Sequence, residues 1–361
     1  MRHLVAALAI GFAASAARGG SITDEIGVGT TDTTPQNPRS GNMTNNLGAS
    51  FDLSDRFVFH ADLSLALEGA TKPPKGSRLG SSASTVAAFS GSLDFDASDT
   101  VSLSLGLDVS PTSTQLSSSQ ITYKDNITGG QTVANDQLRT VSSNSAIDFT
   151  ASYDTAGDSN LEWGLNGGLT GNHYNTDQRI ARLETATGAV VTTQQVETAC
   201  QISGKCSRAL LSALRAKPGS LDSLKFSVGG LITAYRDTDM VLNVDYYGYN
   251  QDPTTAGFFS VGAAGRTSIS GGNGIPIAPL HFLTRAEIGH RWGDFSAKVW
   301  GTAGHYVDQT GQATRGIGTK IQYKFTKTFR LWASTGLQRD TDVTGYTTSS
   351  ASYALGAGYR F

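Results

Sequence analysis

Charge is scarce in this chain. Asp, Glu, Lys and Arg make up 16% of its 361 residues, against about 25% in an ordinary soluble protein. The formal net charge is −2. That balance offers no basic footprint for nucleic acid. Histidine is also rare, with six residues, and cysteine rarer still, with two. After the N-terminal segment no stretch reaches the roughly 18 consecutive apolar residues of a membrane-spanning helix. If the chain crosses a bilayer, it must therefore do so as a closed β-barrel, the other structure that satisfies every backbone polar group in lipid.

The segment MRHLVAALAIGFAASAARGG at the N-terminus reads as a secretory signal over residues 1–17. Arg2 and His3 form the basic part, Leu4 to Ala14 the apolar part, and Ala14–Ala16 or Ser15–Ala17 the small-residue cleavage site. The domain that follows is residues 18–361. Cys200 and Cys206, in the polar stretch CQISGKC, are expected to form one local disulfide in an exported chain. A metal site is the alternative, but no His, Asp or second Cys pair stands beside them. No cofactor and no metal site is expected.

What is abundant is alternation, together with 42 glycines. Period-two apolar segments recur at 47–54, 57–68, 87–95, 101–109, 145–153, 161–171, 224–235, 240–249, 280–292, 295–306, 316–325, 329–338 and 347–361. Their links are alternately short, built of Asp, Ser, Thr and Gly, and long, at 69–84, 111–140, 175–222 and 251–279. Links of that length are improbable inside a compact soluble domain. A barrel usually needs an even strand number with both ends on one side, and the segment 21–29 supplies the missing strand, with Ile22, Ile26 and Val28 in phase. The expected fold is all-β: a transmembrane antiparallel up-and-down barrel of about 14 strands, alternatively 12, with short periplasmic turns and long extracellular loops.

At the turn-side end of the apolar phase stand Phe57, Phe95, Tyr153, Trp163, Trp292, Phe295, Phe325, Phe329, Tyr359 and Phe361. They read as an aromatic girdle at one bilayer interface. The last strand alternates to the end through Tyr353, Leu355, Ala357, Tyr359 and Phe361. In these features the chain resembles the Gram-negative outer-membrane β-barrel proteins, of porin-like type. The resemblance covers the architecture of the whole mature chain and is specific to the class. It implies an outer-membrane location, contact with outer-membrane lipid, and recognition of Tyr353, Leu355, Tyr359 and Phe361 by the barrel-assembly machinery.

Phase also assigns side chains to the lumen. Up to residue 174 the lumen-phase charges are all acidic, with Asp62, Asp108, Asp148 and Glu162 well inside the strands. From residue 221 they are mostly basic, with Arg285, Lys298, Lys320 and Arg330 against Asp245 and Glu287. Opposed walls would give a water-filled pore a transverse field that tunes selectivity; equally, the charges could pair across a closed lumen. Trp300 and Trp332 share the lumen phase, where they could stack on planar solutes or fill volume. Leu210, Leu211 and Leu214 suggest a loop helix over 206–217. No constellation of acid, base and nucleophile is found, so no enzyme is expected. The expected function is a porin-like channel for small polar solutes. The alternative is a non-conducting surface or assembly protein with a plugged lumen, binding a partner through its loops. A trimer and a monomer fit the sequence equally.

Overall fold

The computed structural model describes residues 19–33, 40–71, 78–79, 82–124, 131–155, 161–184, 188–203, 217–251, 280–307, 313–341 and 347–361. Its strands are β1 (Gly20–Thr33), β2 (Ser40–Asp52), β3 (Phe57–Thr71), β4 (Ser82–Asp96), β5 (Val101–Lys124), β6 (Gln131–Asp154), β7 (Leu161–Glu184), β8 (Val190–Thr192), β9 (Lys217–Ala234), β10 (Thr238–Tyr249), β11 (Leu280–Trp292), β12 (Phe295–Tyr306), β13 (Ala313–Lys324), β14 (Phe329–Thr341) and β15 (Thr347–Arg360). One helix, α1 (Thr193–Ser203), follows β8.

Fourteen of the fifteen strands pair antiparallel with two neighbours each and close into a barrel, while β8 pairs only with the upper end of β7. The seam is β1 against β15, from Ser21↔Arg360 to Thr33↔Thr348. Phe361 completes it: its N–H donates to the Gly20 carbonyl at 3.0 Å, and the Gly20 N–H donates back at 3.2 Å. Closure leaves no edge among the fourteen barrel strands, which is what a bilayer demands.

The alternation sorts side chains as the sequence requires. Leu63, Leu65, Leu105, Ile147, Leu165, Phe226, Leu242, Ile288, Ile317 and Leu355 are all 40% or more exposed, an apolar outer belt that only lipid can cover. The girdle beneath is built from cross-strand ring pairs. Phe57 and Phe95 stack at 4.7 Å, Tyr153 meets Trp163 at 5.7 Å, Trp292 meets Phe295 at 5.7 Å and Phe325 meets Phe329 at 6.0 Å. One break in the belt is polar: Asp24 lies in the outward phase of β1, where its carboxylate accepts a hydrogen bond from Asn45 Nδ2 at 2.7 Å.

Short turns join the strands at the girdle end, and several reuse one device. The Ser98 hydroxyl accepts from the Val101 N–H at 3.1 Å, and the Thr326 hydroxyl accepts from the Phe329 N–H at 2.9 Å. Gly293 takes φ +61° in the turn between β11 and β12, a left-handed conformation that glycine adopts without a Cβ clash. Tyr235 and Arg236 take φ of 53° and 62° in the next turn upstream, without glycine's freedom.

Two expectations need correction. The links 111–140 and 175–222 are not simply loops: β5, β6 and β7 run 24 residues each and extend the wall beyond the belt. Beyond the lipid belt no apolar phase is enforced, so TSTQLSSSQITYK and QTVANDQLRT conceal their pairing. The expected helix at 206–217 falls mostly on residues outside the description, while Lys217 opens β9 and the described helix is the earlier segment 193–203. Cys200 sits on α1, and Cys206 lies outside the described residues, so the expected bond does too. The same holds for the signal segment 1–17.

Candidate functional site: the barrel lumen

Every lumen candidate lies on the inward phase of its strand, between outward residues of the belt. The two walls are built differently. On the acidic side Asp62 stands on β3, Asp108 on β5, Asp148 on β6 and Glu162 on β7. None of the four makes an ion pair with a described residue. Asp62 lies against Gly48 of β2, and Asp148 against Gly106 of β5. Both glycines leave room that a Cβ would take. Among the described residues the acidic side has a close acid–histidine contact below them, His60 Nε2 to Asp94 at 2.9 Å.

On the basic side the candidates are brought together. Arg285 and Lys298 converge on the Glu287 carboxylate, at 2.9 Å and 2.8 Å. Both cations also lie over the Trp300 ring, 5.1 Å and 5.9 Å from its centroid. Lys320 lies over Trp332 at 4.7 Å, and Arg330 over the same ring at 5.8 Å. The Trp332 indole N–H donates to Glu25, whose carboxylate is also 4.0 Å from Lys320. Cation–ring contacts of this kind strengthen where water is scarce.

Cross-strand register makes this arrangement possible. Trp300 pairs with Gly318 and Trp332 with Gly356. A Cβ at either glycine would run into the indole, so each ring lies flat on the neighbouring strand. Trp332 is only 8% exposed. The rings thus serve as packed plates that carry cations. Glu25 and Glu287 are the organising acids, and Glu25 was not among the residues singled out from sequence. Its position between outward Asp24 and Ile26 gave the phase, but its place in the basic wall follows from the β1–β15 seam.

At the girdle end the two walls enclose a cavity of about 780 Å³. Asp52, His60, Asp94 and Asp96 line it on one side, and Lys324, Lys327, Arg330 and Arg360 on the other. Higher up, the inward wall from β3 to β9 carries apolar side chains among its charges, with Ala146 directly across from Asp108 and Glu184 buried at the top of β7. Ala66, Val86, Ala146 and Leu221 are each less than 5% exposed there, and Tyr174, Tyr247 and Tyr249 share the inward phase. Leu79, before β4, is also buried, and the Arg78 N–H donates to Glu184 at 2.9 Å, pinning this segment to the top of β7. The lumen therefore has a charged lower layer and, above it, a sector where apolar and tyrosine side chains stand beside Asp108 and Glu184.

No protein-family model and no curated protein matches the sequence. Solved structures match the fold along nearly the whole chain. The CymD monoaromatic hydrocarbon channel aligns with a TM-score of 0.57 at 9% identity, covering 96% of this chain and 89% of that one. A FadL homologue of Pseudomonas aeruginosa gives 0.55 at 12% identity, covering 95% and 90%. The P. putida toluene transporter TodX gives 0.53 at 9% identity, again covering 95% and 90%. At such identities the likeness is one of fold: the closed, antiparallel outer-membrane β-barrel expected from the alternation, with fourteen strands rather than twelve.

Proposed function

We propose that this chain is a passive channel in the outer membrane of a Gram-negative cell, admitting small solutes with an apolar, aromatic body. The observation that carries the reading is the layered lumen. A solute entering from the loop side meets the partly exposed Tyr174, Tyr247 and Tyr249, which share the inward phase with the packed apolar side chains Ala66, Val86, Ala146 and Leu221. Such a surface accepts planar apolar molecules by burial and ring contact. It then reaches a water-accessible cavity of about 780 Å³ at the periplasmic end. The hydrocarbon channels whose fold this chain shares are named for solutes of that kind. This shifts the expected substrate from small polar solutes toward apolar ones, while the channel itself stays.

A second reading keeps the polar solute. It is favoured by the charged vestibule, where Asp94 and Asp96 stand on one side and Lys324 and Arg330 on the other. Contact with outer-membrane lipid belongs to either reading. The barrel-assembly signal in Tyr353, Leu355, Tyr359 and Phe361 is likewise proposed, supported by the alternation of β15 and the closing bonds of Phe361.

The test is initial uptake of labelled toluene and of a labelled neutral monosaccharide by porin-deficient cells with an intact outer membrane, with and without the chain. Faster toluene entry with unchanged sugar entry is expected. Unchanged toluene entry with faster sugar entry would move the assignment to the polar reading. No change in either would remove the channel function.

A further inference from the structure

We propose that Arg315 and Arg339 form a site on the outside of the barrel for the phosphate group of an outer-leaflet lipid. The two residues are direct cross-strand partners on β13 and β14. Both are exposed and share the outward phase, Arg315 with Ile317 and Ile321, Arg339 with Leu337 and Leu331. Their backbones are therefore about 5 Å apart, with two guanidinium groups on one face.

Like charges placed directly opposite destabilise a strand pair. Several other charged groups are compensated from within. Arg285 and Lys298 share Glu287, and Lys320 has Glu25. Asp222, an outward charge on β9, lies 2.5 Å from His173 Nδ1 and accepts from Asn250 Nδ2 at 2.8 Å. Arg315 and Arg339 make no ion pair with a described residue. Among the described residues they have no counter-charge, and an anionic group of the surroundings can supply one.

Height identifies those surroundings. At about 3.3 Å per residue and a tilt near 40°, Arg315 lies roughly 20–25 Å above the turn joining β13 to β14, the height of a whole apolar band. The pair thus sits at the interface opposite the girdle, where lipid headgroups carry phosphate. Directly below, Ile317 and Leu337 are 55% and 56% exposed and face acyl chains. On either side the partners are small, Ala303 on β12 and Ser349 on β15, so a bulky headgroup has room. Two guanidinium groups offer paired N–H donors to phosphate oxygens, a geometry that lysine cannot reproduce.

The full-length barrel, purified in detergent, would be titrated with lipid A and followed by native mass spectrometry. Wild type should retain lipid A, and Arg315→Ser/Arg339→Ser should lose about tenfold or more in retention, as expected for two charge-assisted contacts. Arg315→Lys/Arg339→Lys should fall between them, and dephosphorylated lipid A should bind all forms equally weakly. Heat-modifiable mobility checks that each variant is folded, and the single Arg339→Ser variant replaces the double one if it fails. Equal retention by wild type and the folded Ser variants would overturn the proposal. So would displacement of lipid A by millimolar inorganic phosphate, which would show a general anion site.

Discussion

The two sides of the lumen solve the problem of inward charge in opposite ways. From β11 round to β1 the cations are held in a lattice: Arg285 and Lys298 on Glu287, Lys320 near Glu25, and all of them with Arg330 over two indoles that lie on glycines. From β3 to β7 Asp62, Asp108, Asp148 and Glu162 stand singly, each on its own strand, without an ion pair among the described residues. One wall spends its charge on rigidity; the other leaves it available to whatever passes. Equal numbers of inward charges therefore do not give equal fields in the pore, because a compensated cation contributes little beyond its partner.

The largest expected difference is in stability. Trp332→Ala would strip a nearly buried ring from between Glu25, Lys320, Arg330 and Gly356. Loss of a large aromatic from such packing costs about 3–5 kcal/mol. Asp62→Ala on the other wall should cost within about 0.5–1 kcal/mol. Denaturant unfolding of refolded barrels in lipid measures both, and similar losses would mean that the walls are not built differently.

Next comes selectivity. Asp62→Asn/Asp148→Asn should move the reversal potential across a salt gradient toward anions, and Lys298→Gln/Arg330→Gln should move it toward cations, with Arg285 then left alone to match Glu287. Both shifts should shrink near 1 M salt, where the Debye length is about 3 Å. No shift from either pair would mean that these charges do not face the ion path.

Glu287→Gln sharpens it further. It leaves Arg285 and Lys298 facing each other, and should turn the quiet wall into an anion-attracting one at a stability cost of about 1 kcal/mol, given that both cations are partly solvated. Unchanged anion preference in bilayer recordings would show that the lattice does not mask its cations. The smallest effect lies outside the lumen. Arg236→Gly relieves a left-handed φ of 62° and should stabilise the barrel by about 1 kcal/mol, read as a shift of the unfolding midpoint.

The barrel was legible because lipid enforces a rule. A strand with one face in hydrocarbon must alternate, and Phe57, Leu105, Phe149, Ile288 and Tyr359 all obey it. The inward placement of Asp62, Lys298 and Trp332 followed from that phase. The upper halves of β5, β6 and β7 did not show, because beyond the belt no lipid face enforces an apolar period, and buried Ile180 and Leu183 stand among polar residues. Nor did the indole lattice. That Trp300 lies on Gly318, and Trp332 on Gly356, depends on the register of neighbouring strands. Register arises from turn geometry and closure rather than from any single strand. Glu25 shows the same limit: 307 residues separate it from Trp332, which donates to it across the seam.

The account rests on solutes passing lengthwise through the lumen, between these two walls. Ser104 lines the periplasmic cavity, whereas Leu331 points outward into the lipid belt. A bulky thiol reagent applied to cells expressing Ser104→Cys should reduce labelled-toluene uptake to that of cells lacking the chain. The same reagent on Leu331→Cys, or on wild type with its own two cysteines, should leave uptake unchanged. Undiminished uptake after complete modification of Ser104→Cys would contradict the account, because the solute would then be leaving by another route.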